Sequence, residues 1–299
     1  MGSPDFAVPS LQALARNYPL VGVVTQPDRP AGRGRALVPP AVKQAALRLG
    51  IPVMQPEKIR LSEAMAQLEA WAPDLIVVAA FGQILRPAVL DLPRYGCINV
   101  HGSLLPRGRG AAPIQAAILA GDQETGITIM KMDPGVDTGP ILSQRSLRIA
   151  ADDTGGTLFA KLAPLGAELL LETLPLFLSG RLTPSPQPET GATYARMLKK
   201  EDGRLDFTQP AIELERRVRA FQPWPGTWFD WNGAPLKILR VSISRTKSPG
   251  VGSRLIVAGY PAIGTGEGML ILEEVQPAAK KPMPGKAFLA GARDWSIMD

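Results

Sequence analysis

Up to about Gly180 the chain alternates short β-branched runs with helical stretches, and that alternation limits its fold more than any other feature. Residues 20–25, 51–54, 74–81 and 97–100 read as strands, with helical patterns over 39–49, 61–71 and 113–120. The run 74–81 is apolar on both faces, the mark of a strand covered on both sides. Residues 127–132 and 141–149 read as two strands that could pair. Residues 154–178 form a long helical pattern opened by the capping residues Asp152, Asp153 and Thr154. Serial βα units predict an α/β domain whose sheet is mostly parallel and covered by helices on both faces.

The pattern changes beyond Gly180. Residues 183–190 are rich in Pro, Thr and Ser and read as linker. After them come one amphipathic helix (211–221) and short strand candidates at 227–231, 236–243, 254–258 and 269–275, separated by Gly and Pro. Such a series suggests a small β-barrel. The expected organisation is a catalytic domain over 1–182, a linker over 183–205 and a β-rich domain over 206–299. At the other end, Met1-Gly2-Ser3-Pro4-Asp5-Phe6 runs straight into a helix-like stretch. A doubly wound domain begins with a strand that a glycine turn joins to the first helix. The turn is present and the strand is not, so a central strand is expected to be missing, leaving its neighbours' backbone groups without partners.

Net charge is +6, and its distribution is uneven. Arg29, Arg33, Arg35, Lys43 and Arg48 lie close together with only Asp28 opposing them, and Arg216, Arg217, Arg219, Lys280, Lys281 and Lys286 form a milder second group. Two separated basic regions suit a polyanion such as RNA, although charge alone favours a solvated basic surface. One cysteine (Cys97) and one histidine (His101) exclude an internal disulfide, a cysteine zinc cluster and a His-rich metal site. No apolar run is long enough to span a bilayer and no leader opens the chain, so the cytoplasm is the expected location.

The stretch Cys97-Ile98-Asn99-Val100-His101-Gly102-Ser103-Leu104-Leu105-Pro106-Arg107 carries the candidate chemistry. Asn99 and His101 are two apart, so on an extended strand both project from one face. An amide donor beside an imidazole donor is what an oxyanion developing on an acyl carbon needs. Asp133 and Asp137 lie in a Gly/Pro loop between strands, where a carboxylate could reach the imidazole and fix its tautomer. Spacing alone does not choose between them. It also leaves open that the histidine is an ordinary hydrogen bonder and that the aspartates cap a turn.

The run from Asn99 to Pro106, followed by Arg109-Gly110 and Pro113-Ile114, resembles the signature of the 10-formyltetrahydrofolate-dependent formyltransferases, as does Asp137-Thr138-Gly139. The basic loop Thr25-Gln26-Pro27-Asp28-Arg29-Pro30-Ala31-Gly32-Arg33-Gly34 is similar to the methionyl-tRNA formyltransferase branch, and so are Gly2 to Ala7 and Phe221-Gln222-Pro223-Trp224-Pro225. The resemblance implies a Rossmann-like first domain and an OB-like second one. It implies a catalytic trio of Asn99, His101 and Asp137, and a tetrahydrofolate loop of Ser103, Leu104, Leu105 and Pro106. Arg29, Arg33, Arg35 and Lys43 would meet the tRNA acceptor end, while Trp224, Pro225 and Trp228 are expected in the core of the small domain. The implied reaction passes a formyl group from 10-formyltetrahydrofolate, as co-substrate, to initiator methionyl-tRNA, with no metal and a monomeric enzyme. Family members begin with an apolar strand before the Gly-Ser-Pro turn, so Met1 would be an internal methionine. A hydrolase releasing formate, a formyltransferase for another amine and a non-catalytic RNA-binding protein are the rival readings. A nicotinamide oxidoreductase is disfavoured, because no G-x-G-x-x-G follows a strand.

Overall fold

The computed structural model describes residues 1–31, 36–246, 248–292 and 294–296. The chain divides into two units. The first holds Met1–Pro113, Glu124–Arg148 and Phe159–Arg196, and the second Ile114–Gln123, Ile149–Leu158 and Met197–Asp299. Residues 183–196, expected as linker, therefore belong to the first unit.

In chain order the elements up to the site are α1 (Val8–Asn17), β1 (Val23–Val24), the hairpin β2 (Arg29–Ala31) and β3 (Ala36–Val38), α2 (Ala41–Arg48), β4 (Val53–Met54), α3 (Ser62–Trp71), β5 (Ile76–Val78), α4 (Pro87–Leu90), β6 (Cys97–His101) and β7 (Arg109–Gly110). There follow α5 (Pro113–Ala120), β8 (Glu124–Lys131), β9 (Ile141–Arg148), α6 (Gly155–Leu178) and β10 (Tyr194–Ala195). The main sheet of the first unit has the order β5-β6-β8-β9, and β1 pairs with β4 in a separate two-stranded sheet. The sheet is mixed rather than mostly parallel: β5–β6 is parallel, whereas β6–β8 and β8–β9 are antiparallel. The physical reason is connectivity, since the short loop between β8 and β9 can join only antiparallel neighbours.

Every residue of β6 is buried, Asn99 and His101 as well as Cys97, Ile98 and Val100. Val24, Leu68, Ile76, Val78, Phe81 and Cys97 pack together on the α3 side. Gly166 lets α6 approach β6 closely, because a Cβ there would lie 2.8 Å from Val100 Cγ1. Between β1 and β5, among the described residues, Gly2 N donates to Val24 O and Ala79 N donates to Met1 O.

The second unit carries α7 (Ala211–Ala220), β11 (Thr227–Trp231), β12 (Ala234–Ser244), β13 (Arg254–Val257), β14 (Tyr260–Gly264), β15 (Met269–Gln276), β16 (Met283–Pro284) and α8 (Gly285–Gly291). Its sheet runs β11-β12-β15-β14-β13 with β16 beside β15, all antiparallel. The path is open among the described residues, because β11 and β13 do not pair. Edge-to-face rings of Phe229, Trp231, Phe288 and Trp295 fill its core, and the Trp295 indole N–H donates to Leu255 O at 2.8 Å, so this large ring is buried without an orphaned donor. Trp224 corrects an expectation: it is 54% exposed rather than core. Trp228 is half-buried under the Arg204 guanidinium.

Candidate active site

Asn99 and His101 leave the same face of β6, held by register with Met130 and Thr128 of β8. Both are buried, at 9% and 5% exposure, which is unusual for polar groups unless they are partnered. Their shared partner is Asp137, in the turn between β8 and β9. Asp137 Oδ1 accepts from Asn99 Nδ2 at 3.3 Å, Oδ2 accepts from the Gly110 backbone N–H at 2.8 Å, and Oδ2 lies 3.7 Å from His101 Nδ1. Asp133, the alternative in the sequence, turns back into its own loop and accepts from Thr138 Oγ1 and Gly135 N. His101 Nε2 sits 2.9 Å from Gly108 O. A carbonyl can only accept, so Nε2 carries a proton and Nδ1 is the nitrogen turned toward Asp137. The 3.7 Å separation is too long for a direct hydrogen bond.

The main chain of Ser103 to Pro106 is fastened on both sides. Thr128 Oγ1 donates to Ser103 O at 2.6 Å, Leu105 N donates to Thr128 Oγ1 at 3.1 Å, and Gln144 Nε2 donates to Leu105 O at 2.9 Å. Ser103 Oγ donates to Arg107 O at 2.6 Å, closing the loop, while Leu104 and Pro106 stay half-buried at its surface. The result is a rigid, partly apolar ledge beside the trio. Cys97, on the same strand, is no nucleophile: burial pushes its thiol up to about 12. Among the described residues no three His, Cys, Asp or Glu side chains gather where they could hold a metal ion.

Comparison with known proteins fits this arrangement. Residues 2–174 match the formyl transferase family and residues 197–293 the formyl transferase C-terminal domain. The methionyl-tRNA formyltransferase of Myxococcus xanthus (strain DK1622) is 50% identical over 294 residues, 97% of this chain and 93% of that protein. The one from Bacillus pumilus (strain SAFR-032) is 51% identical over 297 residues, 98% of this chain and 93% of that protein. The chain belongs to the methionyl-tRNA formyltransferase family. Its fold is also that of WlaRD, a sugar 3N-formyl transferase whose crystal structure was obtained with dTDP and 5-N-formyl-THF present. The two share a TM-score of 0.67 at 19% identity, over 94% of this chain and 97% of that one.

Sequence reasoning missed the residues that hold the Asp137 turn of this formyltransferase. Gln187 Nε2 donates to Asp137 O at 2.8 Å and to Gly139 O at 2.7 Å, and Gln187 Oε1 accepts from Arg109 Nε at 3.1 Å. Arg109 is only 1% exposed, and its guanidinium also reaches Glu189 at 3.4 Å. β7 and β10 pair in parallel, which brings residues 187–195 alongside. Asp137 adopts φ +53, a left-handed conformation that a non-glycine residue keeps only when its surroundings enforce it. A single glutamine in a Pro-rich stretch carries no periodicity, so nothing in the sequence marked it.

Of the residues expected at the tRNA, Arg29 is exposed on β2, and Arg33 and Arg35 follow it in sequence. Those two lie outside the described residues. Lys43 is engaged elsewhere, donating to Asp28 Oδ1 and Oδ2 at 2.9 and 2.8 Å. Gln55 Nε2 donates to the same carboxylate at 2.7 Å, and these contacts, Gln55 first and Lys43 second, hold Asp28 below the usual carboxylate range. In this structure Lys43 braces the root of the basic loop.

Proposed function

We propose that this formyltransferase passes the formyl group of 10-formyltetrahydrofolate to the α-amino group of methionine esterified to initiator tRNA. The observation that carries the chemistry is the convergence of Asn99, His101 and Asp137 on one buried face. The donor set suits an acyl substrate, with an amide and an imidazole beside a carboxylate and no thiol nucleophile. The bound folate supplies an activated formyl carbon. Asn99 uses its second amide hydrogen to hold the formyl oxygen as charge develops on it. His101 serves the same oxygen from Nδ1, because Nε2–H is committed to Gly108 O. It donates there only when both ring nitrogens carry protons. Asp137, steadied by Gly110 N–H, accepts the proton that the amine loses as the new C–N bond forms. The proton returns to the folate nitrogen as the old C–N bond breaks, so the enzyme ends unchanged. The ledge of Ser103, Leu104, Leu105 and Pro106 seats the folate.

Gln187 acts through Asp137 as a positioning residue. Gln187→Ala is expected to lower kcat roughly ten- to a hundredfold, because a shift of about 1 Å in a reacting group costs that much. KM for the folate should stay within about twofold and the melting temperature should change little. A rise in KM with kcat unchanged would assign Gln187 to binding instead. Steady-state kinetics with each substrate varied in turn separates the two.

Arg29, Arg33 and Arg35 form the tRNA contact in this reading, with Lys43 setting the loop's base. The paired Arg33→Ala, Arg35→Ala variant should weaken use of tRNA, raising its KM roughly tenfold or more at moderate salt while the folate KM holds. Equal loss for both substrates would make the loop structural. The finer fold reading belongs to the same proposal: a Rossmann-like domain over 1–182, a connection over 183–205 whose first part, to Arg196, clusters with the first unit, and an OB-like domain over 206–299. The antiparallel order of the second unit and the register shift in β12 between Ile238 and Arg240 support it. The reading is tested by offering methionyl-tRNA, a sugar amine and water as acceptors. Formyl transfer confined to methionyl-tRNA supports it, and comparable formate release without tRNA contradicts it.

A further inference from the structure

The orientation of the His101 ring hangs on one backbone carbonyl. Nε2 lies 2.9 Å from Gly108 O, and this contact is buried. Gly108 itself adopts φ +72. Without a Cβ, the two peptide planes that flank a glycine turn at little cost. The carbonyl that sets the imidazole is therefore only as fixed as its own surroundings make it.

Thr193 supplies that fixing. Its Oγ1 accepts from Gly108 N at 2.8 Å, its O accepts from Arg109 N at 2.9 Å, and its N donates to Pro106 O at 3.3 Å. The Gly108 N–H belongs to the peptide plane before that residue, and the Arg109 N–H to the plane after it. One threonine thus holds both planes about the glycine. The second hold has a further consequence. Arg109 N–H and Gly108 C=O are opposite ends of a single peptide group, so the bonds run in line from Thr193 O through that peptide to His101 Nε2. Hydrogen bonds in such a chain polarise and strengthen one another. Next along the chain, Tyr194 and Ala195 pair with Arg109 and Gly110, and Gly110 N–H holds Asp137 Oδ2.

Thr193 is an exposed residue, whereas Gly108 is buried. A bond made at the surface adds little stability, because water serves the same N–H nearly as well. What the threonine adds over water is a fixed position. We propose that Thr193 is a positioning residue for His101: through the Gly108 peptide it keeps Nε2–H engaged and Nδ1 turned toward Asp137 and the formyl oxygen. The inference rests on the reading of His101 as an oxyanion donor.

The chain has one histidine, so the imidazole 15N spectrum, taken at a pH where the ring is neutral, reports its tautomer without ambiguity. In Thr193→Val, which keeps the shape and loses the acceptor, the ratio of Nε2–H to Nδ1–H forms should fall about fivefold, the worth of one hydrogen bond. The Gly108 amide should exchange about tenfold faster. Turnover should follow, with kcat about five- to tenfold lower and the folate KM within about twofold. Thr193→Ser, which restores the acceptor, should return the tautomer ratio and kcat close to wild type. An unchanged tautomer ratio in Thr193→Val would overturn the inference even if kcat falls, since the residue would then be structural. So would a wild-type kcat in Thr193→Val alongside a His101→Ala variant that loses turnover. Full turnover in His101→Ala would instead remove the oxyanion reading, and the tautomer ratio alone would then decide whether Thr193 sets the ring.

Discussion

Replacing His101 with alanine is expected to lower formyl transfer roughly a hundredfold or more while leaving the protein folded, the usual cost of removing one oxyanion donor. The strand does not depend on the imidazole: β6 meets β8 through backbone pairs, His101 opposite Thr128. The side chain's own partners are Gly108 O and Asp137, so the substitution removes one hydrogen bond and the 3.7 Å approach to Asp137. Asn99→Ala should lose turnover to a similar degree, since its amide is the second donor on that face and bonds Asp137. The check is single-turnover formyl transfer with circular dichroism on the same samples. Near-normal turnover in His101→Ala would sink the oxyanion assignment, whatever the stability.

Gly139→Ala is expected to damage both activity and stability. Its hypothetical Cβ would overlap the Lys131 carbonyl oxygen and press on Met130 Cε at 3.1 Å, so the loop between β8 and β9 must move. That loop carries Asp137 in its left-handed conformation, and Gly139 O receives one of the two Gln187 hydrogen bonds. A displacement of about 1 Å at Asp137 should lower kcat on the order of a hundredfold, and the forced backbone shift should cost about 2 kcal/mol of stability. Val136→Ala is the control, because Val136 lies in the same loop and is 52% exposed; it should leave kcat and melting temperature near wild type. Full activity in Gly139→Ala would mean that Asp137 is not positioned through this turn.

How much of this was legible in the sequence depends on how local the signal was. The strand pairing Asn99 with His101 could be read because period-two alternation is a property of a few consecutive residues. Strand β11 and helix α5 were legible for the same reason, one from its aromatic run and the other from Pro113 at its start. The choice of Asp137 over Asp133 was not, because it rests on which way a Gly/Pro turn folds. Gln187 was invisible, since its role depends on β7 and β10 meeting across a long sequence separation. The direction of β8 relative to β6 was missed because an apolar strand reads the same in either orientation. β14 escaped notice: Tyr260-Pro261-Ala262-Ile263-Gly264 carries a proline and a glycine, residues that ordinarily mark a turn or an edge. Trp224 was expected in the core of the small domain, yet it stands between Pro223 and Pro225 and is exposed.

The most direct test of the central claim is formyl transfer from 10-formyltetrahydrofolate to charged initiator tRNA, measured for the wild type beside Asn99→Ala, His101→Ala and Asp137→Ala. The account predicts N-formylmethionyl-tRNA from the wild type and a loss of at least about a hundredfold in kcat for each variant, with all four proteins folded. Wild-type protein that forms no N-formylmethionyl-tRNA, or folded variants that form it at the wild-type rate, would contradict it.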